Sequence, residues 1–235
     1  MIQAKTVFQK ILNEKKPTRI KLLGDSITHG VGGTGFEQNG TPIVTNFARN
    51  PQGYCWAKQF KEYLESKYSC EVINNACTGT TIQFIIEHFD ALVDESDDLI
   101  LCTIGTNNRH QYFYQEPKHT KEEHIEEFYQ WILELHEKFQ KAGKTVVFMA
   151  NIPASSENEK DGEDYWRLFH MDDVYHLYQK ASRECGFPLI EMYRLFSEYC
   201  EQHHITVDSL LVDGLHPSDQ GYDVMYDLII KELEL

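Results

Sequence analysis

Five short apolar runs alternate with longer stretches of helical periodicity, and this alternation constrains the fold more than any other feature of the chain. The runs predicted as strands are Arg19–Leu23, Glu71–Asn75, Leu99–Ile104, Thr145–Ala150 and Pro188–Met192. Helix-like stretches cover Tyr54–Tyr68, Ile82–Val93, Lys121–Ala142, Asp172–Cys185 and Gln220–Leu235. Gly143 and Gly186 stand just past two of these, where glycine closes a helix with a left-handed turn. Strands separated by helices pair in parallel, and a parallel sheet needs helices on both faces to bury it. The expected class is therefore α/β: a three-layer α/β/α sandwich on a central five-stranded parallel sheet. No repeat or low-complexity linker divides the 235 residues, which suits one domain over 1–235. A chain of this length buries roughly 70–75% of its unfolded surface, so a core forms without staples.

Charge narrows the function. The chain carries 37 acidic and 22 basic side chains, a net charge of -15. A field of that sign repels phosphate backbones, so no nucleic-acid partner is expected. No apolar stretch approaches the roughly 18 residues of a membrane helix, and the opening segment has no signal-peptide core. Neither membrane insertion nor export is expected, and a cytoplasmic setting is. The six cysteines form no C-x-x-C pair and are read as free thiols, some buried as small hydrophobes. Oligomeric state leaves no mark in the sequence.

The chemistry gathers where strands end. Ile20-Lys-Leu-Leu-Gly-Asp-Ser-Ile-Thr28 is an apolar run stopped by Gly24-Asp25-Ser26, which puts one hydroxyl at the ligand-binding edge of an open α/β sheet. Val212-Asp-Gly-Leu-His-Pro217 places Asp213 three residues before His216, close enough to orient its ring. A nucleophile, a base and an orienter are thus present. Serine attack on an ester also needs donors where the carbonyl oxygen becomes negative. Ser26 N–H, Gly79 N–H in Asn75-Ala-Cys-Thr-Gly79 and the Asn107 amide in Gly105-Thr-Asn107 would supply three. Each has a plainer reading: Ser26 as a helix N-cap, Gly79 as a turn, Asn107 in an Asx-turn, Asp213 capping the last helix behind Pro217. No serine sits in a G-x-S-x-G elbow, Gly30–Gly35 opens no helix, and no Gly-Lys-Ser/Thr loop is present. The eleven histidines show no compact ligand spacing, so no metal is expected. His29 and His110 closely follow the motifs of Ser26 and Asn107 without an assigned role. The acidic runs Asp94–Asp98 and Glu157–Asp164 read as solvated.

From Ile20 to Tyr222 the four motifs, in this order, resemble the SGNH/GDSL hydrolase superfamily. The resemblance implies the flavodoxin-like fold of that superfamily, with Ser26 as nucleophile and Asp213 and His216 completing the triad. It assigns the oxyanion hole to Ser26, Gly79 and Asn107, and it requires no cofactor. Many members place aspartate after the third-block asparagine, whereas this chain has Asn108. Substrate contacts are expected from Asp25, Asn108, Tyr112 and Trp166, the last two on long segments after strands that mix aromatics with Asn, Gln and Thr. These segments, Gly30–Gly53, Arg109–Thr120 and Asn151–Phe169, contain no aliphatic run. The expected substrate is a small-molecule or carbohydrate ester with a short acyl group, an O-acetyl sugar above others. The alternatives are a lipase or lysophospholipase, a thioesterase, transfer of the acyl group to a sugar hydroxyl, and a non-catalytic carbohydrate-binding module.

Overall fold

A computed structural model of the protein describes residues 3–14, 17–37, 53–110, 120–160 and 167–235. Its core is a parallel sheet of β1 (Thr18–Gly24), β2 (Cys70–Asn74), β3 (Leu99–Thr103), β4 (Thr145–Met149) and β5 (Leu189–Ile190), in the order β2-β1-β3-β4-β5. This is the flavodoxin-like order. β1 pairs with β2 on one side and with β3 on the other, so the direction of winding reverses at β1. Crevices outside the carboxyl ends of strands at such a point are where ligands collect.

Strand side chains alternate between two separate cores, because successive Cβ atoms point to opposite faces of a sheet. Ile20, Leu22, Leu99, Leu101, Val147 and Met149 face one layer of helices. That layer holds α1 (Ala4–Leu12), α3 (Trp56–Lys67), α8 (Met192–His203) and α9 (Asp219–Leu233). Leu23, Ile100, Cys102, Val146 and Phe148 face the other, made of α4 (Ile82–Glu87), α5 (Phe89–Leu92), α6 (Lys121–Lys141) and α7 (Met171–Cys185). The short α2 (Ser26–His29) follows β1 at the sheet's upper edge. The three-layer arrangement is the one expected from the alternation of strand and helix.

Several expected boundaries change. α1 and α8 are additional helices, each burying one side: Phe8, Ile11 and Leu12 in α1, and Met192, Phe196 and Cys200 in α8. The expected last strand loses Met192 to α8, leaving a two-residue β5 between Pro188, which has no N–H to donate, and that helix. The single helix expected over Ile82–Val93 is broken at His88 into α4 and α5. Pro217 does not open the final helix. Ser218 caps α9 instead, accepting from Gly221 N at 3.2 Å, while Pro217 pairs as an isolated bridge with Leu211.

One of the acidic runs is also not solvated throughout. Asp97 is buried, with its carboxylate 3.2 Å from Lys21 Nζ and 3.1 Å from Arg19 Nε. Lys21 is the one charged side chain among the buried positions of β1, and a buried ammonium is stable only with a counter-ion. All six cysteines are free, and Cys185 alone is exposed. Among the described residues no helix is long and apolar enough to cross a membrane.

Candidate active site

The exit of β1 is sterically tight. A Cβ on Gly24 would stand 2.5 Å from Thr28 Oγ1 and 2.9 Å from the Thr103 carbonyl, so only glycine lets α2 begin this close to the strand. Asp25 caps α2, accepting from Ile27 N at 3.0 Å through one carboxylate oxygen. The other oxygen accepts from Asn151 Nδ2 at 3.1 Å, and the same Asn151 nitrogen lies 2.7 Å from Thr106 Oγ1. Burial raises the Asp25 pKa, against the hydrogen bonds from Thr106, Ile27 and Asn151 and the His216 charge, which lower it. Asp25 is 0% exposed, so it is part of the scaffold and not the substrate contact expected from its position.

Ser26 is the first residue of α2, held by this cap with its hydroxyl toward His216. His216 Nε2 lies 2.8 Å from Ser26 Oγ, and His216 Nδ1 lies 2.7 Å from Asp213 Oδ2. A proton on Nδ1, donated to the carboxylate, leaves Nε2 to accept from the serine hydroxyl. Asp213 Oδ1 accepts from the backbone N–H of Leu215 at 3.0 Å and of His216 at 2.8 Å. Partial burial raises the Asp213 pKa, but these backbone and ring hydrogen bonds outweigh it and hold the carboxyl below its ordinary value. The segment Val212–His216 is closed on itself, Val212 N donating to the His216 carbonyl at 2.8 Å.

The second and third motifs meet beside Ser26. Cys77 N donates to the Gly24 carbonyl at 3.1 Å, bringing the turn after β2 against the end of β1. Gly79 sits in that turn with φ +80°, a left-handed conformation that glycine adopts at little cost. Asn107 Nδ2 donates to the Thr80 carbonyl at 2.8 Å, which leaves one amide hydrogen of Asn107 over. Gly105 is required for its own reason: at φ +130° a Cβ would stand 2.9 Å from both Phe128 Cζ and Val174 Cγ1. Asn108, expected as a substrate contact, is also 0% exposed and is taken up by contacts within the fold. Its Oδ1 accepts from Ile82 N at 3.0 Å and its Nδ2 donates to Gln83 Oε1 at 2.6 Å, so it anchors α4. Tyr112 and Trp166 lie outside the described residues.

Sequence reasoning missed the clamps around this site. Asn151 lies two residues past the end of β4, and an amide just beyond an apolar strand was the available signal. Arg109 is wholly buried, donates to the Thr106 carbonyl at 3.2 Å and pairs with Glu159, whose other oxygen accepts from Met171 N at 3.2 Å. Burial, opposed by Glu159, lowers the Arg109 pKa to about 10. Arg167 Nη1 stands 2.9–3.0 Å from the ring nitrogens of His110, and its Nη2 donates to Asn158 Oδ1 at 2.5 Å. Burial and the two arginines push the His110 pKa down to about 3, so this imidazole is neutral. Among the described residues His170, Asp172 and Asp173 form one grouping of metal-ligand type, but Asp173 there accepts from His170 N and pairs with Lys121.

An aligned carboxylate, imidazole and hydroxyl with amide donors close by can activate an oxygen nucleophile and stabilise a tetrahedral oxyanion. Known structures share the frame. An acetylxylan esterase from Geobacillus stearothermophilus superposes with a TM-score of 0.67 at 16% identity, covering 94% of this chain and 97% of that one. A catalytic mutant of that enzyme gives 0.67 at 17% identity over the same shares. A protein from Parabacteroides merdae, named for a GDSL-like lipase, gives 0.66 at 17% identity, covering 95% of this chain and 98% of its own. No curated protein sequence matches. The model of the GDSL-like Lipase/Acylhydrolase family matches residues 22–224, from β1 into α9 and across all four motifs, and the chain belongs to that family.

Proposed function

We propose that this ester hydrolase works through an acyl-enzyme on Ser26 and removes short acyl groups, acetyl above all, from a carbohydrate. The observation that carries the reading is the unbroken hydrogen-bonded line from Asp213 Oδ2 through His216 to Ser26 Oγ, at 2.7 and 2.8 Å. His216 Nε2 takes the hydroxyl proton as Ser26 attacks the ester carbonyl. The oxyanion of the tetrahedral intermediate is met by Ser26 N–H, Gly79 N–H and the spare Asn107 amide hydrogen. His216 then hands its proton to the departing alcohol oxygen, leaving an acyl-serine. Water attacks that ester by the reverse sequence and releases the acid. Asp213 holds the ring in the tautomer that both halves need.

The leaving alcohol receives its proton from Nε2, so it departs on the histidine side of Ser26. A groove of about 480 Å³ runs along Val212, Asp213 and Gly214, in the loop that carries His216. Asn158, Arg167 and Asp208 line it with polar groups, and Val212, 55% exposed, offers an apolar surface. Hydroxyls paired to such groups, with a ring face over the valine, describe a sugar better than an acyl chain. The structural likeness to an acetylxylan esterase points the same way. The test is kcat/KM for acetyl and octanoyl esters of one alcohol, run beside an acetylated oligosaccharide. Acetyl preference and turnover of the acetylated sugar are expected, and a clear octanoyl preference overturns the carbohydrate reading.

Asn107→Ala separates the donor's role from simple binding. The oxyanion exists only near the transition state, and loss of one such donor costs roughly 10²–10³ in kcat. KM is expected to change little, because the ground-state carbonyl gains less from the amide. A loss confined to KM would make Asn107 a substrate contact instead.

A further inference from the structure

Gly79 cannot aim its own N–H. A glycine at φ +80° pays little to rotate, and the direction of that N–H is set by the Thr78–Gly79 peptide plane. The residues on either side of it are tied to opposite walls of the site. Thr80 offers its carbonyl to Asn107 Nδ2 at 2.8 Å. Thr78 places its hydroxyl 3.1 Å from Nδ1 of His29.

His29 is the last residue of α2, the four-residue helix that begins at Ser26. One rigid turn thus carries the nucleophile at one end and the imidazole that reaches Thr78 at the other. The Ser26 carbonyl closes this turn, accepting from Gly30 N at 2.9 Å and Val31 N at 3.0 Å. The His29 ring is buried, and Phe36 meets it edge-on with centroids 5.1 Å apart. Nε2 has no hydrogen-bond partner, so the contact with Thr78 is the only polar one the ring makes among the described residues. Without it a hydrocarbon ring would serve this niche better, since burying a polar ring has a cost. The tautomer follows from the same account. A proton on Nδ1 strands only a lone pair at Nε2, which costs less than stranding an N–H. Nδ1–H therefore donates to Thr78 Oγ1.

We propose that His29 is a positioning residue for the oxyanion hole: through the Thr78 hydroxyl it holds the Gly79 N–H at a set distance and angle from Ser26. The proposal rests on the serine-esterase reading given above. It makes the spacing between nucleophile and oxyanion donor depend on α2 as well as on the turn that Thr80 N closes on the Cys77 carbonyl at 3.3 Å.

The experiment compares steady-state kinetics of wild type, His29→Phe, His29→Asn, Thr78→Val and the His29→Phe/Thr78→Val pair on an acetyl ester, with Tm measured for each. His29→Phe and Thr78→Val are each expected to lower kcat about 10- to 100-fold, since small misplacements of a catalytic group cost this much. KM should stay within about twofold, because the oxyanion is absent from the ground state. The double variant should be no worse than the poorer single one, as two halves of one contact require. His29→Asn keeps a donor near the Nδ1 position and should recover most of the rate. Thr78→Val is nearly isosteric, so it tests the contact even where His29→Phe folds poorly. Wild-type kcat in both single variants, multiplicative losses in the pair, or a change confined to KM would overturn the proposal. If Ser26→Ala is inactive while these variants are unaffected, the positioning role alone falls; if Ser26→Ala keeps wild-type turnover, the serine reading itself falls.

Discussion

Ser26→Ala and His216→Ala are each expected to lower kcat on an acetyl ester by on the order of 10⁵–10⁶-fold, with Tm close to wild type. The two side chains act as one unit, because neither the oxygen nor the base accomplishes the attack alone. The double variant should therefore be no slower than either single one. Residual turnover would come from the amide donors and from binding, which survive both changes. Stopped assays give kcat, and a fluorophosphonate probe reports whether a nucleophilic serine is present. Wild-type turnover in Ser26→Ala, or labelling that persists in it, would remove Ser26 as the nucleophile.

Asp213→Asn is expected to cost about 10⁴-fold in kcat, and the local geometry gives the reason. An asparagine can keep its Oδ1 on the N–H groups of Leu215 and His216, so the loop should hold. Its amide nitrogen would then face His216 Nδ1 with a hydrogen where a lone pair is needed. The ring would answer by moving its proton to Nε2, toward Ser26, and lose the ability to accept the hydroxyl proton. Asp213→Ala loses the loop contacts as well, and so confounds this test. The same substitution carries a pH signature. The Asp213 pKa lies below its ordinary 3.8, so its contribution to stability is present above that value and is lost as pH falls through the lowered one. The Tm difference between wild type and Asp213→Asn should therefore shrink below pH 3.8. A difference that stays constant to lower pH would mean the carboxylate charge contributes nothing there.

The legible parts of the site are those whose meaning is local. Gly24-Asp25-Ser26 ends a strand, and Asp213 and His216 are three residues apart, so the hydroxyl, imidazole and carboxylate that meet in one hydrogen-bonded line could each be read from a few neighbouring residues. Asn107 beside Gly105 was legible for the same reason. The clamps were not, because their partners are distant in the chain: Asn151 reaches Asp25 across 126 positions and Arg109 reaches Glu159 across 50. Asp25 and Asn108 were misread because adjacency to a reactive residue says nothing about direction. Each neighbours a side chain proposed for the reacting centre, yet the turn that presents Ser26 or Asn107 sends the adjacent side chain inward. Lys21 and Asp97 differ again. A lysine within an apolar strand announces that some carboxylate must be buried beside it, but not which one.

By itself the sequence determined the layered parallel sheet and the four motifs, since apolar periodicity decides which face of each element is buried and strand ends are written in a few adjacent residues. The tertiary structure alone decided the strand order β2-β1-β3-β4-β5, which brings the ends of β1, β2 and β3 side by side. It also decided the 190-residue span between Ser26 and His216 that closes to 2.8 Å, and the pairing of His29 with Thr78. The physical reason is that burial pattern is a property of each segment, whereas hydrogen-bond partnership depends on which segments pack together.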